Sequence, residues 1–277
     1  MSDVRTQPKA DAMAAYRAST PVLDQAGMLA AGLGQAVILP LRPQDETMLE
    51  QAEPFRFGPH DSRQAWSVGE GPVVMLVHGY SGRGVQMASL ALRIARQGYR
   101  CVFFDAGGHG ASRPEKVGFH TFIADTHDLF TRLDTPVRAM IGHSAGGLAM
   151  MRARALHGVH ADRYAVISAP LFPYVPLESM RRQGAFPEAL DHVKAILSDQ
   201  FQTSWSSLSG GIAYTPEADG RLLAIYDTTD QMVEHSDAEA LAVLWPGCRV
   251  VKTAGYGHNR ILQAEETGAA VCAFLAD

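Results

Sequence analysis

Apolar and polar positions along this chain switch between two periods, and the switching predicts an architecture. Apolar runs at 73–77 (Val73-Val74-Met75-Leu76-Val77), 100–105, 137–141, 164–168 and 222–226 have the length of strands in a buried sheet, and 249–252 reads as a further strand. Between and after them, helical spacing covers 85–97, 119–133, 147–156, 237–244 and 261–275. Strands and helices taking turns predict an α/β domain with a mostly parallel central sheet and helices on both faces. Two shorter runs, 55–57 and 65–68, come first and predict an antiparallel start to that sheet.

Over 171–220 the rhythm breaks. This segment is rich in proline, aromatic and long apolar residues, including Phe172, Tyr174, Met180, Phe186, Ile196, Leu197, Phe201 and Trp205, with helical spacing over 187–197. It predicts a helical cap inserted at the catalytic end of the sheet. Most of its side chains should pack the cap onto the core, and a minority should line a pocket. The expected organisation is an N-terminal segment with the first strands at 1–65, a core at 66–170 and 221–277, and the cap at 171–220. The apolar stretch 27–40 is too short to span a bilayer, contains Gly32 and Gly34, and ends at Pro40, so it should pack on the core. For residues 1 to about 50 three readings stay open: covering the entrance, pairing two copies into a homodimer, or extending the core.

Composition narrows the function classes. A chain of 277 residues, 47% hydrophobic and 19% charged, suits one sizeable domain. The net charge is −5, and Arg181-Arg182 is too small a basic patch to argue for nucleic acid. Asp3 and the absence of a basic-then-apolar opening do not read as a secretory signal, which makes the cytoplasm the expected location. Cys101, Cys248 and Cys272 are scattered, without disulfide or metal-ligand spacing, and read as buried thiols. No dinucleotide fingerprint, phosphate loop, His-Glu-x-x-His or paired Cys-x-x-Cys occurs, so neither a cofactor nor a metal is expected.

Chemistry concentrates at three separated places. Gly142-His143-Ser144-Ala145-Gly146 stands between an apolar run and a helical stretch, the strand–turn–helix setting that projects a serine from a sharp turn. Asp230 follows the strand that ends at Tyr226, and His258 follows Gly255-Tyr256-Gly257. Ser144 is the candidate nucleophile. His258 is the candidate general base, since imidazole titrates near ~6.5. Asp230 is the candidate acid that orients it, with Asp227 as the alternative. The backbone amides of Ala145, directly after the nucleophile, and Tyr80, directly after His78-Gly79, are candidates for the oxyanion hole. For the ring and hydroxyl of Tyr80 two readings stay open, a place in the pocket and packing.

Together these features resemble the α/β-hydrolase fold superfamily over about 72–275. The likeness rests on the elbow around Ser144, the His-Gly loop Val77-His78-Gly79-Tyr80-Ser81-Gly82, the loop Asp105-Ala106-Gly107-Gly108-His109-Gly110-Ala111-Ser112, and Asp230-Gln231-Met232-Val233. The ending Gly257-His258-Asn259-Arg260-Ile261-Leu262 and the short cap resemble a group of bacterial hydrolases within it. The resemblance implies that His78, His109 and His143 shape loops, and that Asp105, Gly108, Gly110 and Ser112 are architecture. A serine at the elbow points away from the dehalogenase and epoxide-hydrolase branches, whose nucleophile is aspartate. Pocket candidates are His78, Gly79, His143, Phe172, Tyr174, Met180, Phe201 and Trp205. The implied activity is a carboxylesterase acting on small to medium hydrophobic esters. A lactonase, amidase, carbon–carbon hydrolase or acyltransferase can use the same triad, and a hydrolase-like ligand-binding protein is the reading from outside enzymes.

Overall fold

The computed structural model describes residues 22–37, 40–216 and 220–277; the first 21 residues, Asp3 among them, Ile38 and Leu39 of the apolar stretch 27–40, and 217–219 of the expected cap lie outside the described residues. The strands are β1 (Glu53–Phe57), β2 (Arg63–Val68), β3 (Val73–Val77), β4 (Arg100–Asp105), β5 (Val137–His143), β6 (Arg163–Ile167), β7 (Arg221–Asp227) and β8 (Arg249–Thr253). They form one sheet in the order β1-β2-β4-β3-β5-β6-β7-β8. The β1–β2 and β2–β4 pairs are antiparallel, and every other pair is parallel. The predicted α/β architecture is therefore present, including its antiparallel start.

The helices in chain order are α1 (Val22–Leu33), α2 (Pro43–Leu49), α3 (Ala88–Ala95), α4 (Phe119–Arg132), α5 (Ala145–His157) and α6 (Tyr174–Arg182). They continue with α7 (Pro187–Gln200), α8 (Trp205–Ser209), α9 (Asp237–Leu244), α10 (Gly257–Arg260) and α11 (Glu265–Ala276). Strand β3 shows how the sequence makes the layers. Its side chains alternate between faces, so Val73, Met75 and Val77 join a core with Phe122 and Leu129 of α4 and Leu148 of α5. Val74 and Leu76 join the opposite core with Leu90 and Ile94 of α3 and Val271 and Phe274 of α11. All five are essentially buried, which is why the run carries no polar residue.

Several expected boundaries move. The division at 65/66 falls inside β2, where Ala65 and Trp66 pair with Phe104 and Phe103 of the core sheet. The stretch 85–97 is a 3₁₀ turn, Gly84–Met87, followed by α3. The last predicted helix breaks at Ala264, whose extended backbone separates the 3₁₀ turn Ile261–Gln263 from α11.

The largest correction concerns the N-terminal segment. Helix α1 packs on the cap, with Leu29 and Leu33 set against Leu177, Met180, Leu190, Val193 and Leu197 of α6 and α7. Gln25 is buried and its side-chain oxygen accepts a hydrogen bond from the Phe186 amide at 2.8 Å. The cap layer is thus built from two separate stretches of chain, α1 and α6 to α8.

Candidate active site

Ser144 sits between β5 and α5 with φ 51° and ψ −129°, a left-handed conformation that non-glycine residues adopt at a cost of order 1–3 kcal/mol. Its neighbours allow the turn by lacking side chains. A Cβ at Gly142 would stand 2.3 Å from the Gly147 Cα, and one at Gly146 would stand 2.0 Å from the His78 carbonyl oxygen. The serine is left at the C-terminal end of the sheet, facing a cavity.

Three loops converge there. The Ser144 hydroxyl lies 2.9 Å from His258 Nε2, and His258 Nδ1 lies 2.8 Å from Asp230 Oδ2. The Asp230 side chain is 1% exposed, and that of His258 is 9% exposed, so water competes little for these bonds. Burial alone would raise the Asp230 carboxyl. Hydrogen bonds and charge from His258, with the amides of Met232 and Val233 on Oδ1, outweigh it and hold the group below the usual carboxylate range. An ionised Asp230 fixes the His258 tautomer with hydrogen on Nδ1 and leaves Nε2 free to accept from Ser144.

Asp227 has the other task that its position allowed. Its Oδ1 accepts from the Thr229 amide and hydroxyl and from the Gly257 amide at 3.0 Å. Its Oδ2 accepts from the Thr253 hydroxyl and the Tyr256 amide. These donors outweigh the cost of burial and hold its carboxyl well below the ordinary range. Asp227 therefore ties the turn that carries His258 and does not touch the imidazole.

His143 supports the same loop. Its Nε2 lies 2.9 Å from the His258 carbonyl oxygen, and burial followed by the neighbouring His258 pushes it down to about 3. A neutral ring donating from Nε2 leaves Nδ1 as a buried acceptor without a partner.

The two candidate oxyanion amides belong to loops on either side of the serine. Ala145 is the first residue of α5, where an amide has no acceptor within its own helix. The His78-Gly79-Tyr80 loop packs directly over the elbow: a Cβ at Gly79 would come 3.1 Å from the Ser144 Cβ. The Tyr80 hydroxyl is engaged elsewhere, donating to the carbonyls of Leu33 and, at 3.1 Å, Gln35 behind α1. Burial pushes that hydroxyl up to about 12, so it stays a donor. His78 is fully buried and accepts from the Ala106 amide at 3.0 Å, while His109 accepts from the Ser81 amide at 3.2 Å; both brace loops, as the resemblance implied.

The cavity over Ser144 has a volume of about 660 Å³. Of the pocket candidates, Gly79, His143 and Met180 line it, as does Tyr80 of the candidate oxyanion loop. His78, Phe172, Tyr174, Phe201 and Trp205 do not. Phe172 packs edge-on against Tyr174 and Trp205, with ring centroids 5.2 and 5.8 Å away, and Phe201 is buried against Phe119 at 4.6 Å. The Tyr174 hydroxyl donates to Asp237 at 2.8 Å. These aromatics assemble the cap instead. The wall comes from Met28, Leu29, Gly32 and Leu33 of α1, Val175, Ser179 and Arg182 of α6, and Leu197 of α7. The stripe 28/29 and 32/33 has helical spacing, which is the signal that marks one face of α1 in the sequence. Among the described residues no three His, Cys, Asp or Glu side chains group as a metal site needs, and no helix is long and apolar enough to cross a membrane.

This sheet order with a Ser-His-Asp line at its C-terminal edge defines a hydrolase of the α/β-hydrolase fold. The chain belongs to the serine aminopeptidase S33 family (Hydrolase_4), which residues 71–236 match; that span holds Ser144 and Asp230 and ends before His258. It is similar to the non-heme chloroperoxidase CPO-A1 of Kitasatospora aureofaciens, 30% identical over 146 residues. Those residues are 52% of this chain and 53% of the relative, so the chain spans about half the relative's length. Among solved structures, the Pyrococcus furiosus esterase PF2001 superposes with a TM-score of 0.65 at 18% identity, covering 88% of this chain and 97% of that one. An esterase from Exiguobacterium antarcticum gives 0.61 at 16% identity, covering 81% of this chain and 100% of that one. At these identities the superpositions speak for the fold.

Proposed function

We propose that this chain hydrolyses carboxylic esters of small to medium size through an acyl-enzyme. The observation that carries the reading is the unbroken hydrogen-bonded line from Ser144 through His258 to Asp230, opening on a cavity walled largely by apolar side chains. The Ser144 oxygen attacks the ester carbonyl while His258 Nε2 takes its proton. The Ala145 and Tyr80 amides receive the negative charge on the carbonyl oxygen. His258 returns the proton to the leaving alcohol, and the acyl group remains on Ser144. Water, losing a proton to His258, then attacks the acyl-enzyme and releases the acid. Asp230 stabilises the imidazolium in both halves and stays ionised throughout.

Met28, Leu29, Leu33, Phe119 and Leu197 give the acyl or alcohol chain an apolar surface, which supports hydrophobic esters over polymers. The test is steady-state turnover of aryl esters of increasing acyl length by the wild type and Ser144→Ala, with an organophosphonate adduct mapped by mass spectrometry. Multiple turnover lost in Ser144→Ala, with the adduct on Ser144, supports the reading. An adduct without ester turnover moves the assignment to lactones, amides or carbon–carbon bonds. Labelling with no turnover on any of these leaves a ligand-binding protein.

A further inference from the structure

Two adjacent arginines on α6 have different surroundings. Arg181 pairs with Glu178 one turn back, on the side away from the cavity. Arg182 lines the cavity, and among the described residues no acid or hydrogen-bond acceptor pairs with it. It shares a helical stripe with Val175, Pro176, Ser179 and Gln183, all of which also line the wall. Among the described residues no Asp or Glu lines the cavity, although the protein as a whole carries a net charge of −5. Arg182 is exposed to solvent beside Ser179 and Gln183, and with no carboxylate in the lining its guanidinium makes the local charge positive in an acidic protein.

Position along α6 adds a length. Its first residue, Tyr174, is fixed beside the acid loop by accepting from the Glu234 amide and donating to Asp237. Arg182 lies eight residues further along, about 12 Å at 1.5 Å per residue, at the end where the cap meets α1 through Gln25 and Phe186. Arg182 thus stands at the opposite end of α6 from the acid loop while lining the same cavity as Ser144.

We propose that Arg182 binds a carboxylate at the far end of the substrate, so that the preferred substrates are esters carrying one negative charge, such as half-esters of dicarboxylic acids. This rests on the ester-hydrolase reading. One guanidinium fork matches the two oxygens and the single charge of a carboxylate, whereas a phosphate dianion would be only half neutralised by the one arginine in the lining. The carboxylate stays intact, and the bond broken is the ester at Ser144.

The experiment compares phenyl half-esters of succinate, glutarate, adipate and suberate with neutral phenyl alkanoates of equal length, using wild type, Arg182→Gln and Arg182→Lys. The expected result is an optimum length for the half-esters. Arg182→Gln should lower kcat/KM on that half-ester about tenfold, as loss of a charge-assisted hydrogen bond does, and leave the neutral ester within twofold. Arg182→Lys should fall between. Raising salt should erode the wild-type preference and leave Arg182→Gln unmoved. Equal loss on charged and neutral esters, or no preference in the wild type, overturns the proposal. Calorimetric titration of Ser144→Ala protein with the half-ester and the neutral ester reads binding without turnover. Selective binding of the half-ester that Arg182→Gln removes supports the carboxylate site even where ester hydrolysis fails. Equal or absent binding overturns it.

Discussion

Asp227 receives five hydrogen bonds from Thr229, Thr253, Tyr256 and Gly257, and with Asp230 and His143 it makes the floor of the site a lattice of short polar contacts. The roof is assembled differently. There α1, α6 and α7 meet through Leu29, Leu33, Leu177, Met180, Val193 and Leu197, with few polar links. Directional bonds fix atoms to a fraction of an ångström, which proton transfer requires. Apolar contact fixes a volume and tolerates substitution, which suits a surface that selects among chain lengths. The contrast predicts that changes in the floor alter rate and stability, and that changes in the roof alter preference.

The sharpest test uses two carboxylates three residues apart. Asp230→Asn should lower kcat about 10⁴-fold, because the amide favours the wrong imidazole tautomer while the fold survives. Unfolding midpoints should stay close to wild type. Asp227→Asn should act mainly on stability, because Asp227 ties the turn that carries His258 and does not touch the imidazole. Equal catalytic loss in both would mean that the two acids share the orienting role.

Next in size is the oxyanion loop. Tyr80→Pro removes one backbone donor, and kcat should fall about 10²- to 10³-fold with labelling of Ser144 retained but slow. A rise in KM with kcat unchanged would show that the Tyr80 amide holds the ground state and the transition state equally.

For Asp227→Asn the new amide nitrogen would face the Tyr256 amide or the Thr253 hydroxyl, donor against donor, at a cost of about 2–3 kcal/mol. The carboxyl is held low in the folded protein, so its stabilisation is complete above the unfolded value near ~3.9. As pH falls below that value the unfolded chain takes up the proton first, and the advantage over the variant shrinks. Denaturant midpoints at pH 7 and pH 3.5 should therefore differ between the proteins by more at pH 7. A gap that widens in acid would contradict this linkage.

How far the site was legible follows the same division. Ser144 and Asp230 stand in short local patterns after strands with clear apolar runs, and His258 follows Gly255-Tyr256-Gly257, so the floor could be read along the chain. The roof could not. Phe172, Tyr174 and Trp205 satisfy one another, and nothing in composition separates an aromatic that glues a cap from one that faces substrate. The wall from α1 depends on a partner 161 positions away, at Phe186, which no local periodicity encodes. The Tyr80 hydroxyl went to that helix rather than to the pocket.

Within the roof, Met180→Ala and Leu29→Ala each remove apolar wall at little cost to the polar floor. The optimum acyl length on neutral esters should lengthen by one or two carbons, with kcat/KM on the best substrate changed by roughly threefold or less, within the range of a methylene or two. A general loss of rate, unchanged in length preference, would place these side chains in support of the triad.

The smallest effect expected is at the one residue that belongs to both regions. Tyr80 stands in the loop over Ser144, where its amide is the proposed oxyanion donor, and its hydroxyl reaches the carbonyls of Leu33 and Gln35 at the end of α1. Tyr80→Phe keeps the amide and cuts the tie, leaving the Leu33 carbonyl without that donor, worth about 1 kcal/mol. The prediction is a kcat within threefold of wild type, and faster hydrogen exchange confined to α1 and the facing turn of α7. Set beside Tyr80→Pro, which removes the amide and the hydroxyl together, it isolates the hydroxyl: the proline variant should lose chemistry and loosen α1, whereas the phenylalanine variant should loosen α1 alone. If Tyr80→Phe instead slows turnover as severely as proline does, the hydroxyl tie must be what holds the amide in place, and roof and floor are one mechanical unit.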